Sequence, residues 1–213
     1  KVTFTGSTAV GRRIGARWGE DLRRCTLELG GKSAAIILED ADVEKTIKGL
    51  RFSSFMNNGQ ACAAQTRIVA PRALYHDVLH ALMETVESMP VGDPRDEATE
   101  VGPVVNERQW ERVQSYIALA EDEGAKVVVG GRGKPAGLEA GHYVKPTVFA
   151  HVDNTMRIAQ EEIFGPVVVV ISYEDVDVAV RIANESDYGL GGSVWTADRA
   201  AGLDRGDADV QTL

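Results

Sequence analysis

The chain has 213 residues, 44% of them hydrophobic and 26% charged, a composition too apolar for a disordered protein and too interrupted by charge for a membrane span. Acidic residues outnumber basic ones by 32 to 23, and the resulting net charge of −9 disfavours nucleic-acid binding. Only two cysteines are present, too few for a disulfide framework. We therefore expect a cytoplasmic protein without nucleic-acid or membrane partners.

Apolar runs alternate with amphipathic windows, which is typical of an α/β fold with a mainly parallel sheet flanked by helices. In the first half, the pattern predicts strands at 2–4, 33–38 and 66–70 and a helix at 8–18. A second helix, capped by Asp40 or Asp42, runs to about residue 56. There Asn57, Asn58 and Gly59 break it, because Asn and Gly tolerate positive φ.

In the second half, Pro71 is predicted to open a helix that continues to about residue 89, since its missing N–H costs nothing at a helix start. Residues 107–123 form the next predicted helix, with apolar residues in one stripe at Trp110, Val113, Ile117 and Ala120. Strands are expected at 125–129, 167–171 and 191–196, and a helix at 177–184.

Cys62 follows the predicted break, in the run Gly-Gln-Ala-Cys-Ala-Ala-Gln-Thr-Arg at 59–67. A thiol in a loop of small residues can attack a carbonyl carbon. The alternative is a small, inert core residue, which is the usual role of a lone cysteine.

Glu28 lies 34 residues upstream of Cys62, in the run Leu-Glu-Leu-Gly-Gly-Lys-Ser at 27–33. A carboxylate beside the thiol can deprotonate the water that releases an acyl group, and burial would make it a better general base. Strand alternation points the other way, because Cys25, Leu27 and Leu29 would share one face and leave Glu28 on the outer one.

A run near the start, Gly6-Ser7-Thr8-Ala9-Val10-Gly11, follows a predicted strand and opens a helix. Free N–H groups and the helix dipole favour a phosphate at such a place. The run is neither a G-x-G-x-x-G motif nor a Walker loop, so a capped helix without a ligand is equally compatible with it.

A fourth run, Glu-Glu-Ile-Phe-Gly-Pro-Val at 161–167, places Glu162 and Phe164 before a Gly-Pro pair. The Glu162 carboxylate could accept from ribose hydroxyls, or the run could be an ordinary strand entry with a solvated glutamate and a buried phenylalanine.

His76 and His80 could share a helix face, but no third ligand accompanies them, and we assign no metal site.

In this order and at these separations, the four runs resemble the aldehyde dehydrogenase superfamily of NAD(P)-dependent enzymes. The resemblance implies oxidation of an aldehyde to a carboxylic acid, with Cys62 as the nucleophile that forms a thiohemiacetal and then a thioester. It implies that Glu28 activates the hydrolytic water. The cofactor, NAD or NADP, would be bound through its pyrophosphate and nicotinamide ends by Gly6, Ser7, Thr8, Gly11, Glu162 and Phe164.

The resemblance further implies that residues 1–30 are the end of a Rossmann-like cofactor domain and that 31–213 form a catalytic domain truncated at its end. The family is usually homo-oligomeric. The chain is expected to lack the C-terminal oligomerisation segment, and its polar residues 202–213 are expected to fray. The competing hypothesis is a non-catalytic fragment with an incomplete cofactor site. The particular aldehyde and the choice between NAD and NADP are left open.

Overall fold

A computed structural model describes residues 1–198 of the protein together with residues 200 and 202. The expectation for the tail at 203–213 therefore lies outside the described residues. Strands and helices alternate along the described part, in the order β1 (Val2–Thr5), α1 (Thr8–Glu20), β2 (Cys25–Glu28), β3 (Ser33–Ile37), α2 (Val43–Phe55), β4 (Gln65–Pro71), α3 (Tyr75–Glu87), α4 (Glu107–Asp122), β5 (Lys126–Val129), β6 (Thr147–Ala150), α5 (Arg157–Gln160), β7 (Val167–Tyr173), α6 (Val176–Asn184) and β8 (Gly192–Trp195).

Two sheets contain the described strands. The larger has six strands in the order β5-β6-β7-β4-β3-β8, and all neighbours are parallel except β5 and β6. The smaller is the parallel pair β1 and β2, in which Val2 is aligned with Cys25 and Thr5 with Glu28. The expected α/β architecture with a mainly parallel sheet is confirmed.

The six-stranded sheet is buried on both faces. Along β4, Val69 packs into one core cluster, with residues of α4 and α6, while Ile68 and Ala70 pack into the other, with residues of α2 and α3. This alternation follows from the two-residue period of a strand. Helices on both faces explain why residues 68–70 of β4 and 167–171 of β7 are continuous apolar runs.

Helix α4 confirms the predicted stripe, because Val113, Ile117 and Ala120 are fully buried and Trp110 packs against them. Its N-cap is Asn106, whose side chain accepts a hydrogen bond from the Gln109 N–H at 2.9 Å. Such a cap fixes the entry of the helix and the direction of its first turn.

The prediction of a helix beginning at Pro71 was wrong. Pro71 is the last residue of β4 and is aligned with Tyr173 of β7, while α3 begins only at Tyr75. Proline fits there because the next ladder bond comes from the Arg72 N–H to the Tyr173 oxygen. The sequence interpretation also missed β6 and the short helix α5.

Among the described residues, no helix combines the length and the apolar character that crossing a membrane requires.

Candidate active site

The loop that carries Cys62 is formed by a sharp break after α2. Asn57, Asn58 and Gly59 all have left-handed backbones, with φ of 51°, 59° and 70°, as predicted for this run. The Asn58 side chain then ties the loop to a distant segment, accepting from the Gly102 N–H at 2.7 Å and donating to the Pro103 oxygen at 3.1 Å. Asn58 therefore fixes the start of the loop against residues 102 and 103.

Two glycines allow this loop to approach other segments closely. A Cβ on Gly31 would stand 2.2 Å from the Cys62 carbonyl oxygen, and a Cβ on Gly59 would stand 2.2 Å from the Gly165 oxygen. Neither position can hold a side chain without movement of backbone. The runs around Glu28, Cys62 and Glu162 thus meet at one place, as their family resemblance predicts.

A cavity of about 660 Å³ lies where these runs meet. Its lining includes five of the residues singled out from the sequence: Gly6, Ser7, Cys62, Glu162 and Phe164. The remaining lining residues are Thr5, Leu29, Gly30, Met56, Gln60, Ala61, Ala63, Gln109 and Arg112.

Cys62 is half-buried and its thiol is free. In the part of the chain that the structure describes, the Cys62 backbone N–H has no hydrogen-bond acceptor. An unused N–H beside the thiol can donate to an oxyanion that develops on a carbon attacked by the sulfur. Cys62 therefore supplies both the thiol and an N–H donor for the oxyanion that its attack would create.

Three of the singled-out residues are not among those lining the cavity. Glu28 is the last residue of β2 and its side chain is exposed, on the face opposite the half-buried Cys25 and Leu27. The outward orientation expected from strand alternation is what the structure has. Gly11 is buried for a packing reason, because a Cβ there would stand 2.3 Å from Leu29 Cδ2. Thr8 is half-buried in the first turn of α1.

Glu162 is the acidic group of the cavity lining. One of its carboxylate oxygens accepts from the Gly31 N–H at 3.1 Å. Burial raises the pKa of Glu162, while the Gly31 N–H, Arg112 and Lys32 act in the opposite direction. The carboxylate is therefore held in place next to the Gly30-Gly31 turn, with its second oxygen available to a ligand.

The segment containing Glu162 and Phe164 is held by α4. Phe164 has a left-handed backbone with φ 62°, which is unusual for a residue with a bulky side chain. The Gln109 carboxamide donates to the Ile163 oxygen at 3.0 Å and to the Phe164 oxygen at 2.7 Å, and Arg112 donates to the Glu162 oxygen. The sequence interpretation did not identify Gln109 or Arg112.

The start of α1 faces the cavity through Gly6 and Ser7. Ser7 is the N-cap residue in an extended conformation, yet its hydroxyl makes no capping hydrogen bond. The first helical N–H groups and the Ser7 hydroxyl therefore remain available to a phosphate, which a helix N-terminus favours. With Glu162 and the partly exposed Phe164 ring at the other side, the lining fits the pyrophosphate and ribose portions of a nicotinamide dinucleotide.

His76 and His80 are both exposed on α3, and His80 lies 3.3 Å from Glu84. Among the described residues, no group of three or more His, Cys, Asp or Glu side chains is arranged to hold a metal ion.

A family profile described as the aldehyde dehydrogenase family matches residues 1–205. The chain belongs to the aldehyde dehydrogenase family. Geranial dehydrogenase of Castellaniella defragrans is 53% identical to this family member over 198 residues, which are 93% of this chain and 41% of the relative.

Solved structures of the family are similar in fold. Aldehyde dehydrogenase of Mycobacterium tuberculosis, complexed with NAD+, has a TM-score of 0.92 and 54% identity, covering 95% of this chain and 42% of that one. A variant of aldehyde dehydrogenase C from Pseudomonas syringae, complexed with NAD+ and octanal, has a TM-score of 0.92 and 42% identity at the same two coverages. This family member therefore spans about two-fifths of the length of the relatives it matches.

Proposed function

We propose that this chain carries the thiol part of an aldehyde dehydrogenase active site, whose reaction is the NAD(P)-dependent oxidation of an aldehyde to a carboxylic acid. One observation carries the proposal: Cys62, Glu162 and the start of α1 at Ser7 line a single cavity. A nucleophilic thiol, a ribose-binding carboxylate and a phosphate-binding helix start are the groups that such a reaction needs in one place.

In the proposed reaction, the Cys62 sulfur attacks the aldehyde carbon and the aldehyde oxygen gains the thiol proton, giving a thiohemiacetal. The Cys62 N–H donates to that oxygen while negative charge develops on it. When bound, the oxidised nicotinamide supplies the hydride acceptor that allows the thiohemiacetal to become a thioester. Water then adds to the thioester, the C–S bond breaks, and the acid leaves with the Cys62 thiol restored.

Gly6, Ser7, Thr8 and Gly11 are proposed to form the pyrophosphate end of the cofactor site. Ser7 and Gly6 would contact the phosphates directly, which their position in the cavity lining supports. Thr8 would contribute the N–H of the first helical turn, and Gly11 would keep α1 close to Leu29. Glu162 and Phe164 would hold the nicotinamide riboside at the other end.

Glu28 is proposed as the base that activates the hydrolytic water. Its neighbours Leu29 and Gly30 line the cavity, so the residue lies at the cavity margin although its side chain is exposed. The role requires the carboxylate to rotate from the outer face of β2 towards Cys62.

We infer that residues 1–30 end the cofactor domain and that 31–213 belong to the catalytic domain, which agrees with the separation of the β1-β2 pair from the six-stranded sheet. We further propose a small-molecule aldehyde as substrate, a homo-oligomeric parent protein and a cytoplasmic location. The two free thiols support the last of these.

The decisive experiment combines the purified chain with NAD+ or NADP+ and either geranial or octanal, and follows reduced cofactor by absorbance and acylation by intact mass. Cys62→Ala should abolish both signals. Cys25→Ala is the matched control, because Cys25 is the other free, half-buried thiol. Glu28→Gln should allow the acylated chain to accumulate, since its thioester would form without being hydrolysed.

The alternative is a non-catalytic fragment, and the exposed position of Glu28 is the observation that favours it. In that case the chain would yield neither reduced cofactor nor a mass increase with any aldehyde. Turnover that persists in Cys62→Ala would instead exclude Cys62 as the nucleophile.

A further inference from the structure

Two buried cations lie side by side at the start of β3 and β4. The side chains of Lys32 and Arg67 are 2% and 1% exposed. Arg67 donates to three backbone oxygens, those of Lys32, Ile182 and Ala183, and to the Asn154 side-chain oxygen. All four acceptors are neutral, so the guanidinium is hydrogen-bonded but its charge is not balanced by contact with an anion.

The Lys32 ammonium is also without an ion-pair partner. No carboxylate of the described residues lies within 4.0 Å of it. Burial and the nearby Arg67 lower the pKa of Lys32 to about 7. The charges of Glu162 and Glu161 oppose this shift without contacting the ammonium. A buried cation with no anion in contact is costly to keep charged, and contact with an anion lowers that cost.

A second, independent observation comes from Ser33. Its side-chain oxygen is buried and has no hydrogen-bond partner, although a buried hydroxyl normally has one. Lys32, Ser33 and Arg67 line a cavity of about 150 Å³, bordered on the other side by the loop from Ser186 to Gly191. A cation and an unused hydroxyl donor therefore share one small cavity.

This cavity is distinct from the one that contains Cys62. The Gly30-Gly31 turn lies between them: Gly30 lines the Cys62 cavity, whereas Lys32 and Ser33 line the smaller one. Asp187 also borders the smaller cavity, but it is exposed and makes no ion pair with Lys32. The buried polar side chains of the lining are therefore Lys32, Ser33 and Arg67, which supply donors and positive charge.

We propose that the small cavity binds a carboxylate group, whose oxygens accept hydrogen bonds from the Lys32 ammonium and the Ser33 hydroxyl. Its volume suits a carboxylate with one or two carbons and excludes a dinucleotide. The same chemistry is offered by a free small acid and by the side chain of a glutamate. The site does not depend on aldehyde oxidation, because none of its groups belongs to the Cys62 cavity.

The test is calorimetric titration of the chain at pH 6.5 with acetate, and separately with N-acetyl-glutamate N-methylamide, against sodium chloride at equal ionic strength. Saturable binding to either carboxylate is the expected result, with a rise in the thermal unfolding midpoint. Binding of acetate alone identifies a site for free acids, and binding of the blocked glutamate identifies a site that a side chain can enter. Binding of neither overturns the proposal.

Variants test the two donors. Lys32→Met should remove the saturable binding, and Ser33→Ala should weaken it roughly tenfold through the lost hydrogen bond. Lys48→Met, which removes an exposed lysine on α2, is the matched control and should bind as the wild type does. Undiminished binding in Lys32→Met would contradict the proposed site.

A further variant covers the case in which Lys32→Met does not fold. Gly191→Val fills the cavity without removing either donor, because a Cβ on Gly191 would stand at an ordinary 3.8 Å from the Ser33 oxygen. Gly191→Val should abolish binding while leaving the fold intact. A Gly191→Val chain that still binds acetate saturably would also contradict the site.

Discussion

The carbonyl oxygen of Cys62 lies 2.2 Å from the place that a Cβ on Gly31 would occupy. Real Cβ atoms do not approach other heavy atoms within 3.0 Å. Because the neighbouring atom belongs to the backbone, no side-chain rotation can relieve the contact. Gly31 is therefore a spacer that sets how closely the loop of the proposed nucleophile approaches the start of β3.

Replacing Gly31 by alanine should displace the Cys62 loop. We expect Gly31→Ala to lower the free energy of unfolding by about 1–3 kcal/mol, the usual cost of overpacking. The alkylation rate of the Cys62 thiol by iodoacetamide should change as well, measured in a Cys25→Ala background. Gly19→Ala is the control, because a Cβ there meets nothing within 4 Å and alanine suits a helix. Equal stability of Gly31→Ala and the wild type would contradict this account.

Gln109 should act on the cavity through the backbone of Phe164. Its carboxamide donates to the oxygens on both sides of a left-handed residue. Gln109→Ala should lower the free energy of unfolding by about 1–2 kcal/mol, because the Phe164 oxygen loses its donor and the Ile163 oxygen keeps only Arg112 Nε at 3.3 Å. It should also weaken NAD+ binding measured by calorimetry, if Glu162 and Phe164 bind the riboside.

The control for Gln109 is Arg108→Ala, which removes an exposed neighbour on the same helix turn. It should leave the free energy of unfolding within about 0.5 kcal/mol of the wild type. A loss of stability that is equal in the two variants would assign the effect to α4 in general and not to the hydrogen bonds of Gln109.

Residues that share a periodic pattern were predictable from the sequence. The stripe of α4 and the apolar run of β7 follow directly from helical and strand periods, and the break at Asn57 follows from its tolerance of positive φ. β6 was missed, and its four residues are all buried, so they show no alternation of buried and exposed positions.

The contacts that shape the cavity were less predictable. Gln109 acts on carbonyl groups 54 and 55 residues away, and nothing in its local sequence marks that relationship. The four motif runs predicted that Cys62 and Glu162 lie together, because the family resemblance supplies the pairing. The outward side chain of Glu28 was readable from strand alternation alone.

Arg67 should be among the most important residues for stability. Arg67→Met would leave the buried oxygens of Lys32 and Ala183 without the Arg67 donor, and the Ile182 oxygen with only Asn154 Nδ2 at 3.5 Å. We expect a loss of about 2–4 kcal/mol in the free energy of unfolding, measured by urea denaturation, because a buried acceptor left without a donor costs about 1–3 kcal/mol.

Arg72→Met is the matched control for Arg67. Arg72 pairs with Glu174 at the surface, with both side chains mostly exposed. Exposed pairs contribute about 0–1 kcal/mol, so the control should be close to the wild type. A small effect of Arg67→Met, similar to that of the control, would show that water reaches the freed carbonyl groups.

The buried Lys32 side chain should make the free energy of unfolding depend on pH. Its environment contains Arg67 on β4, Arg112 on α4, and Glu161 and Glu162 before β7, and the outcome is a pKa lowered to about 7. In the unfolded chain the same lysine keeps its proton up to about pH 10.4. Between these values the unfolded state binds more protons, so the free energy of unfolding should rise as the pH rises.

The expected slope from this single group is at most about 1.4 kcal/mol per pH unit, and urea denaturation from pH 7.5 to 9.5 in carboxylate-free buffer measures it. Below about pH 7 Lys32 is charged in both the folded and the unfolded state, so the free-energy cost of burying its charge is fully present. Tyr116 and Tyr173 do not interfere, because burial raises the pKa of each to about 12 and their own effect begins only near pH 10.

Lys32→Met should abolish the slope while Lys48→Met retains it. A slope that is unchanged in Lys32→Met would assign the pH dependence to another group and remove the argument that Lys32 is an unbalanced buried charge.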